Sequence, residues 1–365
     1  MIKVCILTSV HPLFDTRIFH KEARSLAKAG YDVTLVVQHD KKDVVDGIRI
    51  VPLSKPKSRF ERMTRTAWQV YCAAMAEDAG LYHFHDPELI LVGLLLRMRC
   101  KKVVYDVHED LPRQTMSKHY LPQYLKKPLA WFVEVVENTA SRYFSAICTA
   151  TPYIRDRFKK VNDKSLDINN YPILTELACS DVKWGDRLNK ICYIGVIAKV
   201  RGIVELVNAM EEINGELDLA GRFSPASLRA ELIDKPGWKK VNELGFVGRD
   251  RVKSVLATSR AGMVTLYPII NYLDSLPVKM FEYMAAGIPV IASDFPFWQE
   301  IIERHNCGIC VDPYNQHEIA RAVNTLLTDN KLAAVMGANG RKAVEEGYNW
   351  QNEERKLLDL YQELI

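Results

Sequence analysis

The acidic and basic residues around position 280 could together bind a ligand that carries neighbouring hydroxyls and an anionic group. Glu282 and Lys279 lie three residues apart in a stretch whose apolar residues form a separate helical stripe, so we expect the pair on one helix face. A carboxylate can accept hydrogen bonds from two vicinal hydroxyls at once. Pro277 suits the first turn of this helix and Gly287 its end. The alternative is an ordinary surface pair of opposite charges.

A second candidate for anion binding is the loop from Gly195 to Gly202, which separates a predicted strand from a predicted helix. Its two cations are Lys199 and Arg201. The forked donors of Arg201 suit phosphate oxygens, and Lys199 could add positive charge. A solvated loop cation is the alternative for each of them.

Two histidine–acid combinations end predicted strands in the first half of the chain. His108 follows a strand at 102–107, where Asp106 or Glu109 could orient its imidazole. His85 and Asp86 follow another strand. Open α/β sheets bind ligands at the carboxyl ends of their strands, so both combinations are candidates for one site. For His85 and Asp86 a purely structural role remains the alternative.

The segment after the first strand supplies three more side-chain candidates for ligand contact, namely His11, Asp15 and Arg17. This segment lacks the glycine-rich loop through which a backbone could approach a ligand closely. Asp15 could equally cap a helix that begins near Thr16.

The elements that must position these residues alternate between strand and helix. Apolar runs of strand length occur at 4–10, 31–37, 103–105 and 146–149, and the pattern resumes from 190 onwards with helical spacing between the runs. Such alternation predicts mostly parallel sheets that are covered on both faces. The predicted fold class is α/β, with two doubly wound, Rossmann-like domains that face a cleft.

The same pattern predicts the domain boundaries. We expect a first domain at 1–172, a linker without periodicity at 173–185, a second domain at 186–348 and a final helix at 349–365 that packs back on the first domain. A length of 365 residues agrees with two domains.

Composition excludes several classes of protein. The longest apolar run, 89–96, has eight residues, far below the ~20 that span a bilayer. Eight scattered cysteines do not form a secreted disulfide framework, and a net charge of +4 is too small to indicate a nucleic-acid binder. We therefore expect a cytoplasmic protein.

Two short motifs resemble metal or redox sites but have simpler explanations. Cys307 and Cys310 have C-x-x-C spacing, yet no second cysteine pair exists and the segment is predicted as a strand. His83 and His85 are explained by strand alternation. The expectation is therefore that no metal is bound.

Charge is distributed unevenly along the chain. Residues 1–172 carry 27 Lys/Arg and 19 Asp/Glu, a net +8, whereas residues 173–365 carry 22 and 26, a net −4. Cations mixed with aromatic residues are typical of segments that lie on anionic membranes. The candidates are Lys55, Lys57, Arg59, Arg62 and Arg65 among Phe60, Met63 and Trp68, and then Lys126 and Lys127 among the aromatic and aliphatic residues between Tyr120 and Phe132. A solvated basic face is the alternative.

One stretch carries a specific resemblance. Ser275–Asp294 reads SLPVKMFEYMAAGIPVIASD, which together with the loop at 195–202 resembles the family-four retaining glycosyltransferases of the GT-B fold. Asp15–Val33 and Tyr105–Asp110 are similar to one bacterial branch of that family, associated with surface-polysaccharide assembly. The resemblance covers essentially the whole chain.

This resemblance implies transfer of a sugar from a nucleotide-sugar donor to a glycan or a lipid-linked glycan, without a cofactor. The first domain would hold the acceptor and the second the nucleotide sugar. No D-x-D motif is present, and enzymes of this fold need no metal at the diphosphate. The expected partners are the donor, the acceptor and an anionic membrane surface, which would place the protein peripherally on the inner face of the plasma membrane.

The resemblance also implies roles for individual residues. The catalytic candidates are His108 near the donor sugar, Asp274 near the anomeric centre and Arg201 at the diphosphate. The expected donor-binding residues are Glu282 at the ribose, Lys199, Lys279, Ser275, Leu276, and Phe246 with Val247 at the base. His11, Asp15, Arg17, His85 and Asp86 are candidates for contact with donor or acceptor.

Three positions depart from the family pattern. Asp274 replaces a longer glutamate and could instead cap the following helix. Val196 stands where many relatives have arginine, and Pro277 where many have glycine, which removes one possible N–H donor to phosphate.

Two rival functions stay open. The first is a nucleotide-sugar epimerase of the same architecture, and the second is a non-catalytic carbohydrate-binding or scaffold protein. A dehydrogenase is disfavoured because no G-x-G-x-x-G follows the first strand.

Overall fold

The structure, a computed structural model, describes residues 1–118, 121–177, 179 and 182–365. The chain forms two compact units. Unit 1 comprises Met1–Asn170 and Gln351–Ile365, and unit 2 comprises Tyr171–Trp350.

Unit 1 contains an eight-stranded sheet in the order β3-β4-β2-β1-β5-β6-β7-β8. All neighbouring strands are parallel except β3 and β4. The strands are β1 (Lys3–Pro12), β2 (Asp32–Gln38), β3 (Asp43–Val45), β4 (Ile48–Leu53), β5 (Leu81–Phe84), β6 (Lys102–Val107), β7 (Ala146–Thr149) and β8 (Ser165–Asp167). The central strands are mostly apolar and largely buried, as expected of a parallel sheet covered on both faces.

The connections of unit 1 are mostly helical. A π-helical segment, Thr16–Ala23, continues into α1 (Arg24–Lys28), and a second one, Arg62–Thr66, joins α2 (Arg59–Glu61) to α3 (Ala67–Glu77). The other helices are α4 (Ile90–Met98), α5 (Leu111–Ser117), α6 (Gln123–Ser141) and α7 (Pro152–Phe158). Side chains of α3, α4, α6 and α7 share one core cluster with β1, β5 and β6, so these four helices cover the same side of the sheet.

Unit 2 is built around a six-stranded parallel sheet in the order β11-β10-β9-β12-β13-β14. Its strands are β9 (Lys190–Ile194), β10 (Glu216–Ala220), β11 (Val241–Gly245), β12 (Ala261–Val264), β13 (Val290–Ser293) and β14 (Gly308–Val311). Its helices are α8 (Leu174–Leu177), α9 (Ile203–Ala209), α10 (Leu228–Ile233), α11 (Arg249–Thr258), α12 (Val278–Ala285), α13 (Pro296–His305), α14 (Gln316–Thr328) and α15 (Asn330–Glu346).

The core of unit 2 lies on both faces of its sheet. Cys192 belongs to one cluster, whereas its neighbours in β9, Ile191 and Tyr193, belong to the other, because successive side chains of a strand point to opposite faces. The predicted class of two doubly wound α/β domains is confirmed.

The last helix, α16 (Trp350–Leu364), belongs to unit 1 from Gln351 onwards. The Tyr361 hydroxyl lies 2.7 Å from His83 Nδ1, and the backbone N–H of Asn169 donates to Glu353 Oε2 at 2.8 Å. Leu357 and Tyr361 are fully buried.

The segment 173–185 differs from the sequence-based expectation of a linker. Part of it forms α8, and Leu177 and Cys179 are buried in the core of unit 2. The segment lacks periodicity because its helices are too short to repeat a pattern. Unit 2 therefore begins at Tyr171.

No helix in the described ranges is both long and apolar enough to cross a lipid bilayer.

Candidate functional site

The loop after β9 lies at the carboxyl end of the sheet in unit 2, beside the point where the strand order reverses direction. Gly202 has a φ of +69°, and a Cβ there would lie 1.8 Å from the carbonyl oxygen of Thr265. A Cβ on Gly221 would lie 1.8 Å from the carbonyl oxygen of Gly195. These close backbone approaches require glycine and hold the loop against the ends of β10 and β12.

A buried lysine amino group lies beneath this loop. Lys279, in the first turn of α12, is buried, and its Nζ has no hydrogen-bond partner within the described ranges. The Nζ lies 3.8 Å from the ring centroid of Tyr193. Burial lowers the pKa of Lys279 well below its usual value, and the nearby Arg201 lowers it further. An anion bound here would stabilise the protonated form of Lys279 and supply the partner that Nζ lacks.

The two loop cations differ in their surroundings. Arg201 lies beside the Tyr193 hydroxyl and close enough to Lys279 to affect its pKa. Lys199 Nζ instead forms an exposed ion pair with Glu231 Oε2 at 2.7 Å. The structure therefore brings Arg201, but not Lys199, to the buried ammonium.

Glu282 follows Lys279 by one helical turn, and its carboxylate is held by Arg249, which is not among the residues predicted from the sequence. Arg249 Nη1 donates to Glu282 Oε1 at 2.7 Å, while Arg249 Nη2 donates to Glu176 Oε2 at 2.9 Å. The contact joins α11 to α12 across 33 residues of sequence, so no local spacing could have revealed it. A single carboxylate oxygen of Glu282 takes part in this bond, and the other remains available to a ligand.

The loop before α12 is fixed at several points. The indole Nε1 of Trp298 donates to the carbonyl oxygen of Ser275 at 2.7 Å, and the Ser275 hydroxyl donates to the Tyr272 carbonyl oxygen at 2.9 Å. Leu276 packs against the core, and Asp274 is half-buried. These contacts hold the predicted donor-binding loop in one conformation.

An exposed aromatic ring follows β11. Phe246 is 71% exposed, and the guanidinium carbon of Arg222 lies 4.5 Å from its ring centroid. Val247, next to it, packs partly against the core. A planar base could stack on this ring, since base–aromatic stacking needs only an exposed π-face.

The candidate residues of unit 1 surround a buried ion cluster. Arg17 binds Asp106 in a bidentate manner, with Nη2 2.9 Å from Oδ1 and 2.8 Å from Oδ2, and Nη1 donates to the carbonyl oxygen of Ile168 at 2.6 Å. Arg17 Nε also lies 2.9 Å from Glu22 Oε1. Arg17 is only 3% exposed, so it stabilises the interior and does not reach a ligand.

The surroundings of the two carboxyl groups in the cluster shift their pKa values in opposite directions. Burial raises the pKa of Glu22 well above its usual value, and the neighbouring Asp106 raises it further. Burial would also raise the pKa of Asp106, but Arg17 and His83 hold it well below its usual value. Asp106 is therefore the anion of the cluster and Glu22 its neutral member.

Histidines extend this cluster towards the surface. His83 and His85 point to the same side of β5, and His85 Nδ1 lies 3.0 Å from His108 Nε2. The side chain of His108 is 21% exposed, and its ring centroid is 5.1 Å from that of His11. Burial lowers the pKa of His108 to about 4, and Asp106 only partly opposes this effect.

The remaining candidates of unit 1 have structural contacts. Asp15 caps the Thr16–Ala23 segment by accepting from the N–H groups of Arg17 and Ile18, and it also contacts His11 at 3.3 Å. Burial opposes ionisation of Asp15, but the contact with His11 and the Ile18 N–H lower its pKa to about 2. Asp86 is buried and accepts from Thr8 Oγ1 and from the N–H of Ser9.

Glu22, His83, His85 and Asp106 bring four donor atoms within 4.8 Å of one another, a spacing that could suit a metal ion. The guanidinium of Arg17, however, already lies within 3 Å of both carboxyl groups. A divalent ion placed there would face this fixed positive charge at close range. The cluster thus carries its own cation.

Four of the five basic residues in the segment 55–65 are exposed. Arg62 forms an ion pair with Glu88 and is partly buried, whereas Arg65 is exposed and lies 3.5 Å from Glu61. Lys55, Lys57 and Arg59 are exposed. Tyr120, part of the second predicted membrane segment, lies outside the described residues.

Two sequence families match the chain. Residues 16–166 match the family described as "Glycosyltransferase Family 4", and residues 180–343 match "Glycosyl transferases group 1". Among curated proteins, the "Uncharacterized glycosyltransferase MJ1607" of Methanocaldococcus jannaschii is 23% identical over 93% of this chain and 91% of that protein. A GDP-mannose-dependent alpha-(1-6)-phosphatidylinositol monomannoside mannosyltransferase of Mycobacterium tuberculosis is 34% identical over 24% of this chain and 23% of that protein.

Solved structures share the fold at low sequence identity. Sucrose-phosphate synthase from Thermosynechococcus elongatus has a TM-score of 0.82 at 17% identity. The match covers 100% of this chain and 99% of the synthase chain. The Anabaena protein Alr3699/HepE, in complex with UDP-glucose, has a TM-score of 0.73 at 14% identity and covers 100% of both chains.

Proposed function

Because the chain belongs to the family-four glycosyltransferases of the GT-B fold, we propose that it is a retaining enzyme that transfers a sugar from a nucleotide-sugar donor to a glycan or a lipid-linked glycan in polysaccharide assembly. The observation that carries the donor site is the buried, unpaired ammonium of Lys279 one turn before the carboxylate of Glu282. One group requires an anion and the other accepts from hydroxyls, which are the two features that a nucleoside diphosphate offers.

Each part of the donor's nucleotide has a proposed matching group in unit 2. The ribose hydroxyls donate to the free oxygen of Glu282, while Arg249 holds the other oxygen and fixes the carboxylate's orientation. The base stacks on the exposed ring of Phe246. Lys279 and Arg201 neutralise the diphosphate.

The proposed catalytic roles follow from where charge develops as the sugar–diphosphate bond breaks. As the bond between the sugar and the diphosphate breaks, negative charge grows on the leaving oxygen, and two fixed cations stabilise it more in the transition state than in the ground state. These cations supply the role that a metal ion has in other transferases, so we propose that the reaction needs no metal. Asp274 stabilises the cationic anomeric centre, and His108 contacts the donor sugar.

A nucleotide screen tests the donor site directly. We expect one of UDP, GDP, ADP or CMP to raise the melting temperature, because a ligand at 100 times its Kd adds ~2.7 kcal/mol to the free energy of unfolding. The Lys279→Met variant, which fills the same space without charge, should lose this shift while its own melting temperature stays at least as high as that of the wild type. A variant that keeps the full shift would contradict the proposed diphosphate site.

An assay of nucleotide release separates the proposed function from its two rivals. A transferase releases the nucleoside diphosphate faster when a glycan acceptor is added. An epimerase converts the donor without any acceptor. A carbohydrate-binding protein neither converts the donor nor releases a nucleotide.

We propose further that the enzyme works on the inner face of the plasma membrane, where a lipid-linked acceptor would lie. Helix α6 supports this proposal, since Ala130, Glu137 and Ser141 are buried on one face and the opposite face is apolar and exposed. The exposed side chains of that face are Tyr124, Leu125, Leu129, Trp131, Phe132, Val135 and Val136. Exposed aromatic residues next to Lys127 fit the interface of an anionic bilayer.

Vesicle binding tests the membrane proposal. The Trp131→Ser/Phe132→Ser variant should lose co-sedimentation with anionic vesicles, and the Lys57→Ser/Arg59→Ser/Arg65→Ser variant should weaken it about tenfold, since each surface cation contributes up to ~1 kcal/mol. Arg62 is left unchanged because it pairs with Glu88.

In both membrane variants we expect unchanged nucleotide binding, because the donor residues belong to unit 2. Binding of the wild type should fall as salt rises, since exposed charges are screened over ~10 Å at 0.1 M. Full vesicle binding by both variants would show that the apolar face of α6 and the basic segment are not the membrane contact.

A further inference from the structure

Two imidazoles in unit 1 must share a single proton. His85 Nδ1 and His108 Nε2 lie 3.0 Å apart, a hydrogen-bonding distance, so one ring donates an N–H and the other accepts it. Burial lowers the pKa of both rings, which keeps each of them neutral near pH 7. The direction of this bond decides which nitrogen of His108 carries its proton.

The surroundings of the other ring nitrogen of His85, Nε2, indicate the direction of the hydrogen bond between His85 and His108. His85 Nε2 is buried without a hydrogen bond to any described residue, and the nearest polar atom given for it is Glu22 Oε2 at 3.5 Å. If Glu22 accepts there, the proton of His85 resides on Nε2, and its Nδ1 carries a lone pair.

Glu22 can only accept from His85 if its own proton is used elsewhere. Glu22 and Asp106 each place a carboxyl oxygen within 4.8 Å of the other, and the charge of Asp106, fixed by the bidentate contact with Arg17, adds to burial in raising the pKa of Glu22. A neutral carboxyl next to a buried carboxylate donates to it, because bonds to an ionised acceptor are the stronger ones. Because Oε1 of Glu22 lies beside Arg17 Nε at 2.9 Å, Oε2 is the oxygen that faces the N–H of His85.

The contacts of His83 are consistent with the same assignment of protons. The Tyr361 hydroxyl lies 2.7 Å from His83 Nδ1, and His83 Nε2 faces Asp106 Oδ2 at 3.5 Å. If the hydroxyl donates to Nδ1, the His83 proton sits on Nε2 and points to Asp106. The proton of His83, like that of Glu22, then points to the carboxylate of Asp106.

We propose that Glu22 and His85 are positioning residues that hold His108 in the tautomer with its proton on Nε2 and its lone pair on Nδ1. His108 Nδ1 has no partner among the described residues, and the ring is partly exposed. It therefore offers an acceptor to a hydroxyl group, as on a sugar, and no N–H to a phosphate oxygen. The tautomer explains how His108 would contact the donor sugar. Its role in catalysis rests on the function proposed above.

The tautomer can be measured without any substrate. Long-range ¹H–¹⁵N correlation spectra of protein labelled at histidine distinguish protonated from unprotonated ring nitrogens, and the His108→Gln variant assigns the signals. We expect His108 to be protonated at Nε2 and bare at Nδ1 in the wild type. A proton on Nδ1 in the wild-type protein would overturn the inference, whether or not the protein proves to be a transferase.

Variants separate positioning from simple packing. Glu22→Gln can still donate to Asp106 through its amide and accept through its carbonyl oxygen, so it should keep the tautomer and stay within about twofold of wild-type kcat. Glu22→Leu has similar volume but no acceptor, and it should lose the fixed tautomer and lower kcat about tenfold at an unchanged KM for the donor.

Tyr361→Phe is the matched control, because it removes a buried hydroxyl from the branch of the cluster that does not lead to His108. This variant should keep the His108 tautomer. If Tyr361→Phe and Glu22→Leu disturb the spectrum of His108 equally, the cluster acts through packing alone and the proposed roles of Glu22 and His85 are wrong.

Discussion

Replacing Glu282 with alanine is expected to abolish sugar transfer and to weaken nucleotide binding at least about 30-fold. The ribose loses its carboxylate acceptor, and removing a charged hydrogen-bonding partner costs ~2 kcal/mol or more. Arg249 is also left without its 2.7 Å contact. Isothermal titration with the nucleotide identified by the melting screen measures the loss.

Glu176→Ala is the control for this experiment. Glu176 holds the other side of Arg249, at 2.9 Å, but belongs to α8 and not to α12. Its removal should leave nucleotide affinity within about threefold of the wild type. Near-normal affinity in Glu282→Ala would remove the ribose assignment, whereas equal losses in both variants would assign the effect to Arg249.

Arg201→Ala should lower turnover about 100-fold, equivalent to ~2.7 kcal/mol of transition-state stabilisation. Donor affinity should fall less, because the charge on the leaving diphosphate is greatest in the transition state. Steady-state kinetics at saturating donor, combined with direct measurement of donor binding, separates the two effects.

Lys199→Ala provides the comparison for Arg201. Lys199 lies two residues earlier in the same loop but pairs with Glu231 at 2.7 Å on the surface. We expect its turnover to stay within about twofold of the wild type. A loss of donor affinity alone in Arg201→Ala would make Arg201 a binding residue without a specific role in bond cleavage.

The class of fold was predictable because burial on both faces of a parallel sheet leaves continuous apolar runs in the sequence. The placement of Lys279 and Glu282 one turn apart on the same helix was predictable for a similar reason, since helical spacing is local. The apolar stretch Val4–Leu7 and the FEYMAA segment of α12 show both signals directly in the printed sequence.

The contacts that tune the candidate site were not predictable, because they join residues distant in sequence. Arg249 reaches Glu282 from another helix, and His83 meets Tyr361 across 278 residues. The sequence gives a residue's type but not its burial. Arg17 is therefore predicted from the sequence as a ligand contact, whereas the structure places it in the interior with Asp106.

The chain leaves unit 1 after Asn170 and returns to it at Gln351. This connectivity determines when unit 1 can be completed during synthesis. The ribosome makes the eight strands of unit 1 first and α16 last, after all of unit 2. Until then His83 lacks the Tyr361 hydroxyl, the Asn169 N–H lacks Glu353, and the surface that Leu357 covers stays open to water. Closing so long a loop costs only slightly more than closing a short one, since the entropic cost grows with the logarithm of length. Nascent unit 1 is therefore an incomplete intermediate with exposed apolar surface, the kind of species that chaperones bind.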